Sequence, residues 1–71
     1  RCNAVGPGYI ETALLKDNLN KDMMQAVASK SAMNRLGTAE EIAELVTFLS
    51  SEKSSFTTGS YIIADGGYTA V

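Results

Sequence analysis

Two short apolar runs, "CNAV" at residues 2–5 and "YIIA" at residues 61–64, stand near opposite ends of the chain with helical patterns between them. The second run lacks apolar–polar alternation, so it is expected to be a strand buried on both faces, as in a parallel sheet. Strands so far apart in sequence, joined through helices, make a parallel crossover unit of the α/β class. Two strands alone do not make a stable parallel sheet. The helices available cover one face and add a flap, so an apolar face and two strand edges are expected to be bare. The chain therefore reads as the end of a larger sheet. Arg1, standing where a start would have Met and leading straight into strand, carries the same expectation of residues upstream.

The first run closes at Gly6, Pro7 and Gly8. Pro7 has no N–H to give a ladder and Gly8 tolerates positive φ, so the backbone is expected to leave the strand direction there. Thr12 is placed to cap a short helix carrying Leu14, Leu15 and Leu19, and Asn20 a second with Met23, Met24, Val27 and Ala28 on one face. "SKSAMNRLG", residues 29–37, has no period and reads as a loop. In "TAEEIAELVTFLSSE", Thr38 and Glu41 have capping-box spacing, and Glu40 and Glu41 put negative charge at the helix start. Ile42, Leu45, Val46 and Leu49 recur at i, i+3, i+4 and i+7, the stripe of a helix packed on one side. "KSSFTTGS" is a polar turn region before the second apolar run, and "DGG" ends that run sharply.

A chain of 71 residues buries only about 60% of the surface its unfolded form exposes. Small domains compensate with disulfides, a metal or a partner chain, and one Cys with no His excludes the first two. Six basic residues, unclustered, with a net charge of −2, give no footprint for nucleic acid. No apolar run approaches the roughly 20 residues that span a bilayer, so no membrane partner is expected. A lone thiol fits a reducing cytoplasm, and Cys2 is read as an inert buried one, since no His is there to activate it. Glu40, Glu41, Glu44 and Glu52 read as a solvated helix face, and without His their spacing makes no metal site.

The residues in their order resemble a family. "RCNAVGPGYIET", followed by "NRLGTAEEIAELVTFLSSEKSSFTTGSYIIADGG", is similar to the carboxy-terminal part of a short-chain dehydrogenase/reductase, and the resemblance covers nearly the whole chain. It rests on Asn3 early in the strand, Pro-Gly-x-Ile-x-Thr at residues 7–12, Arg35-x-Gly37 before the capped helix, and Thr-Gly followed by Asp-Gly-Gly on the last strand. Each is short, and their order and spacing give them weight together. The resemblance implies a Rossmann-type doubly wound parallel sheet of which these strands are the sixth and seventh, so that residues 1–71 are the carboxy-terminal fragment of one dinucleotide-binding domain. It implies an NAD(P)-dependent oxidoreductase that interconverts an alcohol with a ketone, aldehyde or oxoacyl group, using NAD or NADP and working as a homodimer or homotetramer.

By the same resemblance, Pro7, Gly8, Ile10 and Thr12 are cofactor-binding: the Ile10 backbone pairs with the nicotinamide carboxamide, and the Thr12 hydroxyl reaches the carboxamide or pyrophosphate. Chemically, an amide ligand needs one donor and one acceptor held still at the carboxyl end of a parallel strand, where open α/β sheets bind ligands. The plain alternative is a tight turn followed by a helix cap. Residues 12–35 correspond to a substrate flap, whose Leu and Met residues also suit ordinary helix packing. The capped helix and last strand correspond to a subunit interface. Arg35 is read as a loop anchor and Asp65 as a turn residue. Ala39 stands where many relatives carry Pro, and Gly6 where they usually carry a residue with a side chain, such as Ala. No catalytic residue is assigned: the family's Gly-rich loop, Ser and Tyr-x-x-x-Lys have no counterpart among the 71 residues, and Tyr9, Tyr61 and Tyr68 are not followed four residues later by Lys. The competing reading is a non-catalytic module that serves protein association.

Overall fold

Alternate residues of a parallel strand bond to opposite sides, and this decides where Pro7 is tolerated. The computed structural model of the chain describes residues 1–70. Strand β1 (Ala4–Pro7) pairs in parallel with the last strand, in register from Ala4 opposite Tyr61 to Pro7 opposite Ala64. The Ala4 N–H donates to the Ser60 carbonyl at 2.9 Å and the Gly8 N–H to the Ala64 carbonyl at 3.2 Å. Even-numbered residues therefore face the partner strand, and Pro7 turns its missing N–H to the open edge. The strand expected at residues 2–5 thus starts and ends two residues later, and Gly6 and Pro7 belong to it.

Past the bend, β2 (Ile10–Glu11) leads into α1 (Ala13–Asn18) and α2 (Lys21–Ala28). Both expected caps form: the Leu15 N–H donates to Thr12 Oγ1 at 3.2 Å and the Met23 N–H to Asn20 Oδ1 at 2.8 Å. The stretch 29–37 is a loop of turns whose last residue opens β3 (Gly37–Thr38), which pairs in parallel with β2. This second two-stranded ladder had no signal in the sequence. Helix α3 (Ala39–Ser50) starts with the full capping box, the Glu41 N–H donating to Thr38 Oγ1 at 3.2 Å and the Thr38 N–H to Glu41 Oε1 at 2.9 Å. A 3-10 turn at Glu52–Ser54 closes it, with the buried Ser54 hydroxyl donating to the Leu49 carbonyl at 2.9 Å. Strand β4 (Tyr61–Ala64) and a 3-10 turn at Tyr68–Ala70 finish the described chain.

Asn3 ties the two main strands at their start. Its side-chain amide donates to the Thr57 carbonyl at 3.1 Å and accepts from the Ser60 N–H at 3.0 Å, which fixes the register of β4 against β1.

Val5 lines one cleft with Val46 and Leu49, which puts α3 on that side of the sheet. The other side carries Ala4, Tyr61 and Ile63, all exposed. Exposure along β4 accordingly alternates, with Ile62 and Ala64 half-buried, so the strand expected to be buried on both faces has one bare face. The expectation of a bare face and open edges agrees with this. Cys2, expected to be buried, is exposed, because it precedes the paired residues and no layer lies over it.

Among the described residues, only Ala28 and Ser54 are buried, at 7% and 2% exposure. The chain is a slab of 42 × 26 × 14 Å with a radius of gyration of 13.9 Å, against about 11 Å for a compact domain of this length. Its 5170 Å² of accessible surface exceeds the roughly 4,200 Å² of a compact monomer of this mass. The described residues form an α/β layer with a helical cover on one side and, among them, no enclosed core.

Candidate functional site

The bend between β1 and α1 lies at the carboxyl ends of both parallel strands, and what shapes it is contact within the chain. A Cβ added to Gly8 would lie 2.7 Å from both Cα and Cβ of Asp65. Gly8 is therefore required by the close passage of the β4 exit. The positive φ allowed for in the sequence is not used: it occurs at Gly59, Gly66 and Gly67, and at Asn34 among the other residues. Gly6 has a different neighbour, since a Cβ there would meet the Tyr61 ring, with Cζ 2.7 Å away.

Ile10 is held by the short ladder. The Gly37 N–H donates to the Tyr9 carbonyl at 2.9 Å, and Ile10 lies opposite Gly37. In a parallel ladder the residue opposite such a bonded partner directs its own N–H and C=O to the other side. One donor and one acceptor, two bonds of one residue apart, thus face away from β3 on a backbone pinned by hydrogen bonds. The Ile10 side chain packs over Gly37, where an added Cβ would come within 2.8 Å of its Cδ1.

Thr12 is exposed, and one lone pair of its hydroxyl is taken by the Leu15 N–H. The hydroxyl hydrogen is left to donate outward. Lys16 Nζ reaches Glu11 Oε1 at 3.3 Å and braces the first turn of α1 against β2.

The four residues singled out by the sequence do not share one cavity. Pro7 and Gly8 border a cleft of about 350 Å³ together with Tyr9, Tyr61, Tyr68 and Thr69. Ile10 borders a smaller one of about 110 Å³ with Met33, Arg35, Ile42 and Asp65, and Thr12 borders neither. Tyr9 and Asp65 line both clefts.

Asp65 is a turn residue, as expected. Its carboxylate accepts from the Gly67 N–H at 2.9 Å, the Thr69 N–H at 3.0 Å and the Thr69 hydroxyl at 2.8 Å. Those bonds, the Thr69 hydroxyl foremost, hold its pKa below the usual value. Gly66 and Gly67 are explained by the loop that docks on them. The Met33 N–H donates to the Gly66 carbonyl at 2.9 Å, and a Cβ on Gly67 would lie 2.6 Å from that of Ala32.

Arg35 anchors the same loop, as read from the sequence, through a two-pronged bond to Glu41. Glu41 is accordingly no free member of a solvated face, unlike the exposed Glu40, Glu44 and Glu52. The Arg35 guanidinium, then the Thr38 N–H, lower its pKa to about 2.

Sequence reasoning missed Tyr9 and Tyr68. Their rings meet edge to face, 5.6 Å between centroids at 86°, and Lys30 Nζ lies 5.9 Å from the Tyr9 centroid. Tyr9 occupies the variable position of Pro-Gly-x-Ile-x-Thr, and an aromatic flanked by turn residues was the available signal.

Comparison with known proteins places this arrangement. A family model described as enoyl-(acyl carrier protein) reductase matches residues 1–69. The chain is 44% identical over 71 residues to the cis-4-hydroxycyclohexanecarboxylate dehydrogenase of Sinomonas cyclohexanicum, covering 100% of this chain and 28% of that protein. It is 54% identical over 65 residues to a 3-oxoacyl-[acyl-carrier-protein] reductase of Buchnera aphidicola, covering 92% of this chain and 26% of that one. The solved structure of a short chain dehydrogenase family protein from Francisella tularensis superposes with a TM-score of 0.91 at 37% identity, over 100% of this chain and 34% of its own. The chain thus spans about a third or less of the relatives it matches, and its strands and helices are a partial Rossmann layer. On this agreement of sequence model, relatives and fold, the chain belongs to the short-chain dehydrogenase/reductase family.

Proposed function

We propose that residues 1–71 are the carboxy-terminal part of a single dinucleotide-binding domain in an NAD(P)-dependent oxidoreductase, one that interconverts an alcohol with a ketone, aldehyde or oxoacyl group. The observation that carries this reading is the outward-facing N–H and C=O of Ile10, fixed by the β2–β3 ladder at the carboxyl ends of parallel strands. A carboxamide matches that pair with its own acceptor and donor. When bound, NAD or NADP supplies the hydride acceptor or donor. The chain's own residues orient it: Pro7 and Gly8 set the bend, the Ile10 backbone fixes the plane of the carboxamide, and the Thr12 hydroxyl donates to the carboxamide or pyrophosphate.

The segment 12–35 serves as the substrate flap, with Leu14 and Met23 exposed on it. Helix α3 and the open edge of β4 serve as the contact of a homodimer or homotetramer, which covers the exposed Val46 and Phe48. The setting is a cytoplasmic one. Since neither a Ser-assisted Tyr-x-x-x-Lys pair nor a Gly-rich phosphate loop is present in the 71 residues, the segment alone transfers no hydride.

The bare apolar face also suits a non-catalytic association module, and turnover separates the two readings. The full-length polypeptide carrying residues 1–71 is expected to oxidise or reduce NAD(P)-coupled alcohols and carbonyls, while the segment alone does not. Full-length protein that binds neither NADH nor NADPH would contradict the oxidoreductase reading.

A further inference from the structure

Strand β3 and its partner β2 are each two residues long, too short a ladder to hold itself in water. The Ile10 backbone nevertheless takes its direction from that ladder, through the Gly37 N–H on the Tyr9 carbonyl at 2.9 Å. What keeps β3 in place comes from both of its ends. Before it, Arg35 Nη1 donates to the Leu36 carbonyl at 3.1 Å. At its close, the Thr38 N–H donates to Glu41 Oε1 at 2.9 Å, and the Glu41 N–H returns a bond to Thr38 Oγ1 at 3.2 Å. The two ends meet in one group, because Arg35 Nη1 and Nη2 also grip Glu41 Oε1 and Oε2, each at 2.9 Å. A forked guanidinium–carboxylate bond fixes orientation as well as distance. Helix α3, of 12 residues, supplies the rigid body on which Glu41 stands.

We propose that Glu41 is a positioning residue for the cofactor: its carboxylate, clamped by Arg35, sets β3 against β2 and so aims the Ile10 N–H and C=O at the nicotinamide carboxamide. This deepens the oxidoreductase reading and rests on it. A capping box by itself requires only an acceptor at residue 41. The positioning role requires in addition that the acceptor be tied to Arg35, which brackets the strand from the other end. The effect travels along the backbone, from Glu41 to Thr38 and from Thr38 and Gly37 to Glu11 and Ile10 across the ladder. Hydrogen bonds weaken steeply as their angle is lost, so a small rotation of β2 costs the carboxamide its bonds. A ligand without a carboxamide does not sense that rotation.

The test uses the full-length protein carrying this segment, in two measurements. The first, without ligand, compares amide hydrogen exchange at Gly37, bonded to Tyr9, with that at Gly8, bonded to Ala64 in the β1–β4 ladder. In Glu41→Ala and in Arg35→Ala, exchange at Gly37 is expected to speed up roughly tenfold while Gly8 is little changed. The second is the ratio of Kd for ADP-ribose to Kd for NADH, or of the corresponding 2′-phosphates for a protein that prefers NADPH. Both variants are expected to lower this ratio about fivefold, the worth of one hydrogen bond. Glu41→Gln, which keeps the capping acceptor and one bond to Arg35, is expected to lose less than either. Gly37 and Gly8 amides that speed up together, or NADH and ADP-ribose that weaken by the same factor, would reduce Glu41 to a helix cap and overturn the proposal. So would an unchanged ratio, whether or not exchange at Gly37 is faster. Wild-type protein that binds neither NADH nor NADPH would instead remove the oxidoreductase reading, and this one with it.

Discussion

Arg35 and Glu41 meet in a forked ion pair, with Nη1 to Oε1 and Nη2 to Oε2 both 2.9 Å, and the same carboxylate accepts the Thr38 N–H at 2.9 Å. The pair joins the end of the loop at residues 29–37 to the first turn of α3, so an exposed interaction fixes where that loop ends.

The pair makes a pH prediction. The Glu41 pKa is lowered from the usual 4.5 to about 2. A depressed carboxylate pKa stabilises the fold fully above the unfolded value, and the stabilisation is lost as pH falls from about 4.5 toward about 2. Carbon-13 titration of the Glu41 carboxyl in the full-length protein is expected to show a midpoint near the lower value. In Arg35→Gln the midpoint is expected to rise toward the ordinary carboxylate range; an unmoved midpoint would dissociate Arg35 from the effect.

Gly8 and Gly6 are expected to differ sharply on substitution. In Gly8→Ala the new methyl meets the Asp65 backbone, which cannot swing away, and overpacking of this kind costs about 1–3 kcal/mol. In Gly6→Ala it meets the far end of the Tyr61 side chain, which is exposed and free to rotate. Urea unfolding of the full-length protein is expected to show a clear loss for the first and a small one for the second. Equal losses would mean that the Tyr61 ring is as fixed as backbone.

Much of this architecture was legible because it depends on local chemistry. Thr12, Asn20 and Thr38 each announce a helix start, and the unalternating "YIIA" against "CNAV" announces the parallel pair. What was hidden depends on neighbours distant in sequence. Pro7 lies inside β1 only because its missing N–H faces the open edge, a fact set by the register with β4. The β2–β3 ladder is two residues long and leaves no pattern. Gly8, Gly66 and Gly67 were recognisable as turn glycines, but the partners that require them, Asp65 at one and the Ser31–Asn34 loop at the others, are tertiary. Exposure of Cys2 and of one face of β4 follows from how little of a Rossmann sheet these residues contain.

The absence of an enclosed core makes a prediction about the segment by itself. Phe56, Tyr61 and Ile63 are exposed, and β1 and β4 each have an unpaired edge. Such surfaces drive association. Residues 1–71 in isolation are expected to sediment in a concentration-dependent manner and to melt without a sharp transition. A monomer with a single cooperative unfolding step would show that this layer folds unaided.

The proposed seating of the nicotinamide end of the cofactor on the Ile10 backbone is tested by amide NMR of nitrogen-15-labelled full-length protein. Saturation with NADH or NADPH is expected to shift the Ile10 amide resonance, while ADP-ribose, which lacks the nicotinamide, leaves it in place. An Ile10 amide that stays put at saturation, or that moves equally with ADP-ribose, would rule out this role for the Ile10 backbone.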